Sequence, residues 1–482
     1  MTPSPRQLEI YKAFKETDKH ICVQATAGSG KTTTILELLN FVPKFRKAIF
    51  LSFSNGIVSE LKERVPVGIQ ASTLHSLGCR AIMRCYHGTK VDENKYFKKA
   101  LFTYYSNKET RDKDAYKECF RLQDICNFAR MTYADFNEEA LAQMCEYYGL
   151  DFSLETLNRA VDLLTTPYGS KVIDFTDMIY LPLKDKNITI DKFDFVFLDE
   201  AQDLNNCQRL FVEKLLAPKG RLISVGDKYQ SIYSFAGSSI DSFEKLQKKE
   251  NTIVLPLDVS YRCPKAVVRQ AQKVCTTINY FENSIEGEVR SGNIDEIKAG
   301  DLVICRNTRP LIALYFYLLE NDIRCKVVGK DIETGLLQLA TRCKSYSREI
   351  FVKNLNKELQ TLVDELKDMG VKIATDHPRY IALVEKIQVL TVISRKLEPG
   401  EDIIEKIKFI FSDDADAAKL MTLHRSKGLE NKRVFIVERF NKERLLPSKH
   451  ATKDWEMIQE NNLAFVAYTR AKESLIFLNF DE

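Results

Sequence analysis

The sequence predicts an α/β fold in which two parallel β-sheets form separate core domains, each carrying a helical insertion. Three observations support this prediction. Strand-like apolar runs alternate with helix-like segments in two blocks of the chain, as is typical of parallel sheets covered by helices on both faces. A glycine-rich loop at 25–32 joins a strand-like run to a helix-like one. Two long helical stretches, at about 87–166 and 330–418, interrupt the alternation.

The candidate strands can be placed in chain order. The first block contains His20–Ala25, Lys47–Phe53, Phe193–Leu198, Leu222–Gly226 and Thr252–Leu257, and the second contains Asp301–Cys305, Cys325–Val328, Lys419–Leu423, Val434–Val437 and Ser474–Leu478. We expect a first core domain at 1–86 and 167–257 with its insert at 87–166, and a second at 258–329 and 419–482 with a reduced insert at 330–418. Ligands of parallel sheets bind at the carboxyl ends of the strands, where the polar motifs of this chain lie.

The loop after the first strand reads Ala-Thr-Ala-Gly-Ser-Gly-Lys-Thr, the composition of a phosphate-binding loop. Gly28 and Gly30 allow backbone N–H groups to face a phosphate, and the N-terminus of the next helix adds partial positive charge. Lys31 is predicted to reach the β- and γ-phosphate oxygens, and the Thr32 hydroxyl to bind Mg²⁺. The same predicted nucleotide-binding segment includes Ala27, Ser29 and Thr33. The alternative is an ordinary glycine turn between a strand and a helix.

A second motif consists of the adjacent carboxylates Asp199 and Glu200, which follow the apolar run Phe195–Leu198. Asp199 is predicted to hold Mg²⁺ through water, and Glu200 to polarise an attacking water molecule. An acidic turn after a strand can also be a simple solvated cap. Together with the upstream loop, the pair favours hydrolysis of a nucleoside triphosphate.

The two helical stretches are interpreted by default as packing bundles inserted into the cores. In the second one, apolar residues recur every three or four positions, at Phe351, Leu355, Leu359, Leu362, Leu366 and Met369. A break at 370–378 and further helical sequence toward Leu397 predict a helical hairpin.

Composition excludes several classes of protein. With 44% hydrophobic and 29% charged residues, the 482-residue sequence is typical of a globular protein of two to four domains. No apolar run approaches the roughly 18 residues of a membrane-spanning helix, and the first residues lack the apolar segment of a signal peptide. The twelve cysteines form no C-x-x-C pair, which favours a reducing cytoplasm, or the nucleus in a eukaryote. A net charge of +4 allows a local basic groove.

Further motifs, in the same order along the chain, resemble those of superfamily 1 DNA helicases of the UvrD, Rep and PcrA branch, with similarity to the F-box helicase subgroup. The matching segments are Pro5–Gln7, Phe50–Asn55, Ser72–Ser76, Val225–Asp227, Gln230–Gly237, Ser260–Arg262, Met421–Glu430 and Val466–Lys472. The resemblance implies that both cores are RecA-like P-loop NTPase domains. It also implies that Mg²⁺ and ATP are the cofactors and that ATP binds in the cleft between the cores.

The resemblance implies a role for several nucleotide-site residues. Gln7 would read the adenine edge, Tyr261 would stack on the adenine ring, and Glu430 would contact the ribose. Gly428 would offer a backbone N–H group. The resemblance also implies that Gln230 takes part in catalysis by sensing the γ-phosphate and relays its presence to the DNA side.

Two arginines of the second core, Arg262 and Arg470, would meet the γ-phosphate held by Lys31. Charge accumulates on the equatorial phosphate oxygens during phosphoryl transfer, and an arginine there can accelerate the reaction by roughly 10³–10⁵. Hydrolysis would then require a closed cleft. This requirement would couple ATP turnover to stepping along the strand.

The residues that the resemblance assigns to DNA are Phe53, Asn55, Thr73, His75, Tyr233, Phe235 and His424. Phe53 and Phe235 are expected to stack on bases, an interaction that tolerates any base sequence. Tyr233 could stack or merely pack. No further metal-ligating residues accompany either histidine, so we expect no metal at them.

The expected activity is that of an ATP-dependent single-stranded DNA translocase and helicase that moves 3′ to 5′ and acts in DNA repair or replication. Forked or tailed duplex DNA is a further expected substrate. Three alternatives remain open: a DNA-stimulated ATPase that strips proteins from DNA with little unwinding, a nucleic-acid-triggered ATP switch, and an RNA motor.

Overall fold

The computed structural model describes residues 2–52, 64–106, 113–166, 171–233, 241–345, 347–368, 371, 374–398, 400–412 and 416–481. The chain divides into two compact units, Met1–Asp258 and Val259–Glu482. Each unit contains a mainly parallel sheet flanked by helices, so the predicted α/β class is confirmed. The finer division into two cores and two inserts stays a prediction.

The first unit is built on a six-stranded parallel sheet in the order β3-β2-β6-β7-β1-β8. Its strands are β1 (His20–Ala25), β2 (Ala48–Leu51), β3 (Gln70–Ser72), β4 (Lys90–Val91), β5 (Val172–Ile173), β6 (Phe193–Leu198), β7 (Leu216–Gly226) and β8 (Thr252–Leu257). The short strands β4 and β5 pair separately from the main sheet. In β1, Ile21 and Val23 on one face and Cys22 on the other are fully buried, as expected of a strand covered on both faces.

The helices of the first unit are α1 (Pro5–Glu16), α2 (Lys31–Asn40), α3 (Leu74–Cys85), α4 (Lys95–Tyr104), α5 (Lys113–Thr132), α6 (Glu138–Tyr148), α7 (Leu154–Thr165), α8 (Phe175–Lys184), α9 (Asn206–Lys214) and α10 (Asp241–Gln247). Helices α4 to α7 occupy the predicted first insert. They enclose a hydrophobic cluster of their own, which includes Leu122, Leu141 and Leu157. The first insert therefore has a core separate from that of the sheet.

A buried ion cluster connects the first insert to α8. The Arg130 guanidinium lies 2.6 Å from a carboxylate oxygen of Asp177 and 2.7 Å from one of Asp174. The Lys95 ammonium lies 2.5 Å from the other oxygen of Asp177. All four side chains are buried, and the guanidinium also lies 4.2 Å from the ring centroid of Tyr96. Although burial raises the pKa of Asp177, Arg130 and Lys95 outweigh it and leave that pKa below its usual value.

The main sheet of the second unit has the order β11-β17-β15-β12-β14-β13, with β16 antiparallel to β15. The strands of this unit are β9 (Val259–Ser260), β10 (Asn279–Tyr280), β11 (Glu288–Gly292), β12 (Leu302–Cys305), β13 (Cys325–Val327), β14 (Ala418–Thr422), β15 (Asn431–Phe440), β16 (Glu443–Arg444) and β17 (Ala471–Phe480). Strands β9 and β10 form a separate parallel pair.

The helices of the second unit are α11 (Lys265–Ala271), α12 (Thr308–Glu320), α13 (Lys330–Cys343), α14 (Arg348–Asp368), α15 (Pro378–Arg395), α16 (Ile403–Ile410) and α17 (Asp454–Tyr468). Helices α14 and α15 pack together on either side of the predicted break. Leu339, Leu355 and Leu390 of the predicted second insert belong to the same hydrophobic cluster as Val303 and Leu420 of the sheet. The second insert therefore shares one core with its sheet. None of the described helices of either unit is long and apolar enough to cross a membrane.

Candidate active site

The glycine-rich loop has the conformation that its sequence predicts. Strand β1 ends at Ala25 and α2 begins at Lys31. Gly28 and Gly30 have φ angles of 71° and 85°, in the left-handed region that glycine adopts without strain. The Thr26 N–H donates to the Leu257 carbonyl of β8 at 3.0 Å, which ties the loop to the neighbouring strand. The loop thus leads into the N-terminus of a helix, the arrangement that binds phosphate in many proteins.

The acidic motif lies beside this loop. The Lys31 Nζ is 3.9 Å from Glu200 Oε1, and the Thr32 Oγ1 donates to Asp199 Oδ2 at 3.3 Å. The loop follows β1 and the acidic pair follows β6, with β7 between these strands in the sheet. Both motifs stand at carboxyl ends of parallel strands, so the structure brings together all four residues as the sequence predicts.

Asp199 is only 3% exposed, and its surroundings favour the protonated form. Burial and the negative charge of Glu200 raise the pKa of Asp199 to about 7, against the opposing effect of Lys31. A cation beside this carboxylate would relieve that cost. Carboxylate and hydroxyl oxygens are ligands that Mg²⁺ prefers, so Asp199 and Thr32 fit such an ion.

The protein provides only part of a coordination sphere. In the described ranges, no group of three or more His, Cys, Asp or Glu side chains could hold a metal ion. Mg²⁺ commonly keeps several waters and binds phosphate oxygens alongside one or two carboxylates. An ion at Thr32 and Asp199 would therefore depend on water and on a bound phosphate.

Glu200 adopts a strained backbone conformation, with φ 50°. Such angles in a non-glycine residue cost energy and cluster at functional sites. The Glu200 N–H donates to Asp199 Oδ1 at 2.9 Å, and the Gln202 amide donates to Glu200 Oε2 at 2.5 Å. The bond from Gln202 holds one oxygen of the Glu200 carboxylate, and the other oxygen lies 3.9 Å from Lys31 Nζ.

A hydrogen-bonded chain connects Glu200 with Gln230. The Gln202 Oε1 accepts from the Asp227 N–H at 2.9 Å, and the Asp227 carboxylate accepts from the Gln230 amide at 2.6 Å. Burial raises the pKa of Asp227, and Lys31 opposes that effect. Gln230 is buried at the end of a short 3₁₀ turn, Lys228–Gln230. Sequence analysis assigned no role to Gln202 or Asp227, although Asp227 lies in the motif Val225–Asp227 and Gln202 lies two residues after Glu200.

Gln7 is placed next to the phosphate-binding loop. Its Oε1 accepts from the Ser4 N–H at 2.9 Å, and its Nε2 donates to Thr34 Oγ1 of α2 at 3.0 Å. A glutamine amide has two N–H donors and two acceptor lone pairs. One donor and one lone pair therefore remain for a ligand beyond these two bonds.

In the second unit, Glu430 accepts from two cations. Its Oε2 lies 2.5 Å from Arg262 Nε, and its Oε1 is in close contact with Lys472 Nζ. Burial raises the pKa of Glu430, but Lys472 and Arg262 outweigh it and hold that pKa below its usual value. The exposed Gly428 lies two residues earlier, with φ 87°. Lys472 is a site neighbour that the sequence did not single out.

Arg470 points into the second unit, where it is 1% exposed. Its Nε donates to the Val466 carbonyl at 2.8 Å and its Nη1 to the Leu429 carbonyl at 2.9 Å. The guanidinium thereby supports the segment that carries Glu430. Its contact with a γ-phosphate stays a prediction.

The six predicted DNA residues of the first unit fall into three groups. Phe53, Asn55 and Phe235 lie outside the described residues. Thr73 caps α3, since its Oγ1 accepts from the Ser76 N–H at 3.2 Å. His75 and Tyr233 line one cavity of about 370 Å³ in the first unit, together with Met131, Phe175, Thr176, Ile179, Asp203, Asn205, Cys207 and Gln208.

Burial favours the neutral form of both predicted DNA histidines. Burial lowers the pKa of His75, whose ring lies edge-on to Phe175 at 6.1 Å between centroids. Burial and the charge of Arg306 lower the pKa of His424 to about 4. Arg306 in turn forms a bidentate pair with the buried Glu460. Each histidine can therefore donate or accept a hydrogen bond, but neither brings a positive charge to a phosphate.

Comparison with known proteins agrees with this geometry. The profile of the UvrD/REP helicase N-terminal domain matches residues 6–251, about half of the chain. The chain belongs to the UvrD/Rep helicase family. ATP-dependent DNA helicase PcrA of Staphylococcus aureus strain Mu50 is 27% identical, over 97% of this chain and 82% of the relative.

Two further relatives carry similar names. ATP-dependent DNA helicase Rep of Buchnera aphidicola subsp. Baizongia pistaciae is 25% identical to this UvrD/Rep-family chain, over 59% of it and 45% of the relative. A probable DNA helicase of Mycoplasma pneumoniae is 23% identical, over 95% of the chain and 80% of the relative. The predicted resemblance is thus confirmed.

Proposed function

We propose that this chain is an ATP-dependent single-stranded DNA translocase and helicase. The observation that carries the proposal is the meeting of Lys31 and Thr32 with Glu200 and Asp199 at one end of the first sheet, in a member of the UvrD/Rep family. Relatives named as ATP-dependent DNA helicases support the same activity. Movement from 3′ to 5′ and use of forked or tailed duplex DNA are part of the proposal.

The residues of the first unit divide the hydrolytic work. Lys31 binds the terminal phosphates, and Thr32 and Asp199 hold Mg²⁺, which when bound neutralises charge on the phosphate oxygens. Glu200 orients and polarises the attacking water. The bond from Gln202 supports this role, because it restricts the orientation of the carboxylate. The strained backbone of Glu200 also supports it, since such strain clusters at functional sites.

The coupling of hydrolysis to DNA uses Gln230 and two arginines. The hydrogen-bonded chain through Gln202 and Asp227 offers a route by which a change at Glu200 reaches Gln230. Arg262 and Arg470 are proposed to add positive charge at the terminal phosphate. Tyr261, Glu430, Gly428 and Gln7 are proposed to bind the nucleoside.

DNA is proposed to pass the cavity that His75 and Tyr233 line. Its size, its aromatic residues and its polar side chains suit an unstacked base. Neutral histidines are compatible with contacts to bases. Phe53 and Phe235 remain proposed stacking residues, and Asn55, Thr73 and His424 remain proposed contacts. We place this activity in the cytoplasm, or the nucleus of a eukaryote, where the twelve free cysteines stay reduced.

Steady-state ATPase with and without a single-stranded oligonucleotide tests the proposal. We expect stimulation by DNA above that by RNA, loss of turnover in Lys31→Ala, and normal turnover in the control Lys12→Ala, an exposed lysine of α1. A duplex with a 3′ tail should be unwound and one with a 5′ tail should not. Turnover that ignores DNA, or survives Lys31→Ala, would overturn the proposal.

A second candidate is a translocase that strips proteins from DNA with little unwinding. The shared core favours it, because the described helices of the second insert pack into the hydrophobic cluster of their sheet and not into a cluster of their own. Displacement of streptavidin from a biotinylated single strand, without separation of a forked duplex, would support this candidate over the helicase.

A further inference from the structure

Two aromatic side chains lie side by side near the predicted nucleotide site of the second unit. Strands β9 and β10 pair in parallel with Ser260 opposite Tyr280, so the following residues, Tyr261 and Phe281, leave the pair at the same level. The Phe281 N–H donates to the Ser260 carbonyl at 3.2 Å. The ring centroids of Tyr261 and Phe281 are 5.0 Å apart, with 42° between the ring planes.

The geometry makes Phe281 a support for the Tyr261 ring. Rings with centroids 4.5–7 Å apart are in direct contact, so no base fits between these two. Tyr261 nevertheless remains 44% exposed and Phe281 37% exposed. Phe281 therefore covers part of the tyrosine ring and leaves the rest accessible to a ligand.

The backbone around Tyr261 is held in place by other contacts. Arg262 is paired with Glu430 at 2.5 Å, and the buried Cys263 donates its N–H to Ser260 Oγ at 3.3 Å. The side-chain torsions of Tyr261 are the main freedom left. Ordering such a side chain on binding costs free energy, and a neighbour that orders it beforehand increases affinity.

We propose that Phe281 is a positioning residue for the nucleotide base: it holds the Tyr261 ring in the orientation in which that ring stacks on a purine. The inference rests on the proposed function, in which Tyr261 binds adenine. It assigns a role to a residue outside every motif of the sequence. The ligand class is a purine nucleoside triphosphate, because a two-ring base gains more from a fixed flat surface than a one-ring base.

Tyr280 provides a matched control. It precedes Phe281 on the same strand pair, is 40% exposed, and lies with its ring 5.7 Å from the Lys265 ammonium rather than against Tyr261. Tyr280→Ala removes as much aromatic surface from the same segment. It should leave the KM for ATP unchanged.

The test is the DNA-stimulated ATPase of the full chain with ATP and with CTP. We expect Phe281→Ala to raise the KM for ATP about two- to tenfold, the range that aromatic pairs contribute, with kcat nearly unchanged. The KM for CTP should change less. Phe281→Tyr should keep the KM for ATP near that of the unaltered protein. If the alanine variant does not fold, Phe281→Leu, which retains apolar volume without a ring, is measured in its place and should also raise the KM for ATP.

A double-mutant cycle distinguishes failure of this inference from failure of the proposed base stacking by Tyr261. If Phe281 acts through Tyr261, Tyr261→Ala combined with Phe281→Ala should be no worse than Tyr261→Ala alone. Additive effects, or an unchanged KM for ATP in Phe281→Ala, overturn the inference. An unchanged KM in Tyr261→Ala instead refutes base stacking by Tyr261 itself.

Discussion

Replacing Asp199 with asparagine should stabilise the nucleotide-free protein while it abolishes hydrolysis. The carboxylate is buried at the end of β6 beside Glu200, and its pKa is raised from 3.8 to about 7. Between pH 3.8 and about pH 7, Asp199 keeps a proton in the folded protein that it has released in the unfolded chain. The free energy of unfolding therefore falls as the pH rises through this window, and the loss is complete above pH 7.

The size of the effect follows from the shift in pKa. One pKa unit corresponds to about 1.4 kcal/mol, so a shift of about three units makes the charged carboxylate cost up to about 4 kcal/mol above pH 7. At pH 5 the same calculation gives about 2 kcal/mol. An asparagine does not titrate. The stability advantage of Asp199→Asn should thus grow by about 2–3 kcal/mol from pH 5 to pH 8.

Urea unfolding of both proteins at the two pH values, without nucleotide or Mg²⁺, measures this advantage. Far-UV circular dichroism follows the whole chain, whereas fluorescence of the single tryptophan, Trp455, follows the second unit. The change in the free energy of unfolding should appear in the circular dichroism transition and not in the transition followed by Trp455 fluorescence. Asp194→Asn is the control, because Asp194 lies on the same strand, is partly exposed and pairs with Arg46 at 2.9 Å. A stability advantage that stays constant with pH, or that Asp194→Asn reproduces, would contradict a buried charge at Asp199 as the cause.

Three other substitutions test separate parts of the molecule. Glu200→Gln should bind ATP normally but lose hydrolysis, since the amide is a poor base; multiple turnover in a steady-state assay would contradict this role. Asp177→Ala should lower the free energy of unfolding by about 3–5 kcal/mol, because it leaves Arg130 buried with one carboxylate fewer, and a loss below 1 kcal/mol in urea would count against the cluster. Tyr233→Ala should weaken single-stranded DNA binding by about 1–3 kcal/mol with basal ATPase retained, and unchanged fluorescence anisotropy titrations would return Tyr233 to a packing role.

The strands that an apolar run marks could be predicted closely from the sequence, whereas the strands without such a run could not. Strands β1 and β6 have the limits that their apolar runs predict, because strands covered on both faces are continuously hydrophobic. The edge strand β8 also has its predicted limits, since it too carries an apolar run. Strands β3 and β11 were not predicted. Both lie at sheet edges and are mostly polar and partly exposed, so no apolar run marks them.

The same limit applies to the candidate site. Two motifs each contain a pair of adjacent site residues, Lys31 and Thr32 in one and Asp199 and Glu200 in the other. The structure brings the two pairs together as expected. Phe281 is different. It is placed against Tyr261 by two strands of two residues each, which are too short to produce a periodic pattern.

The two helical inserts are attached to their units by different physical interactions. The first insert meets α8 through Arg130, Lys95 and two aspartates, whose hydrogen bonds are directional and tolerate little displacement. The second insert joins its sheet through a continuous apolar core, which has no such angular requirement. A buried ion cluster adds little net stability but penalises any geometry that separates its charges. The position of the predicted first insert therefore depends on charge pairing in addition to the contacts of Tyr133 and Phe136 with Tyr180, and that of the predicted second insert on apolar packing. Substitutions that alter charge should disturb the first insert far more than the second.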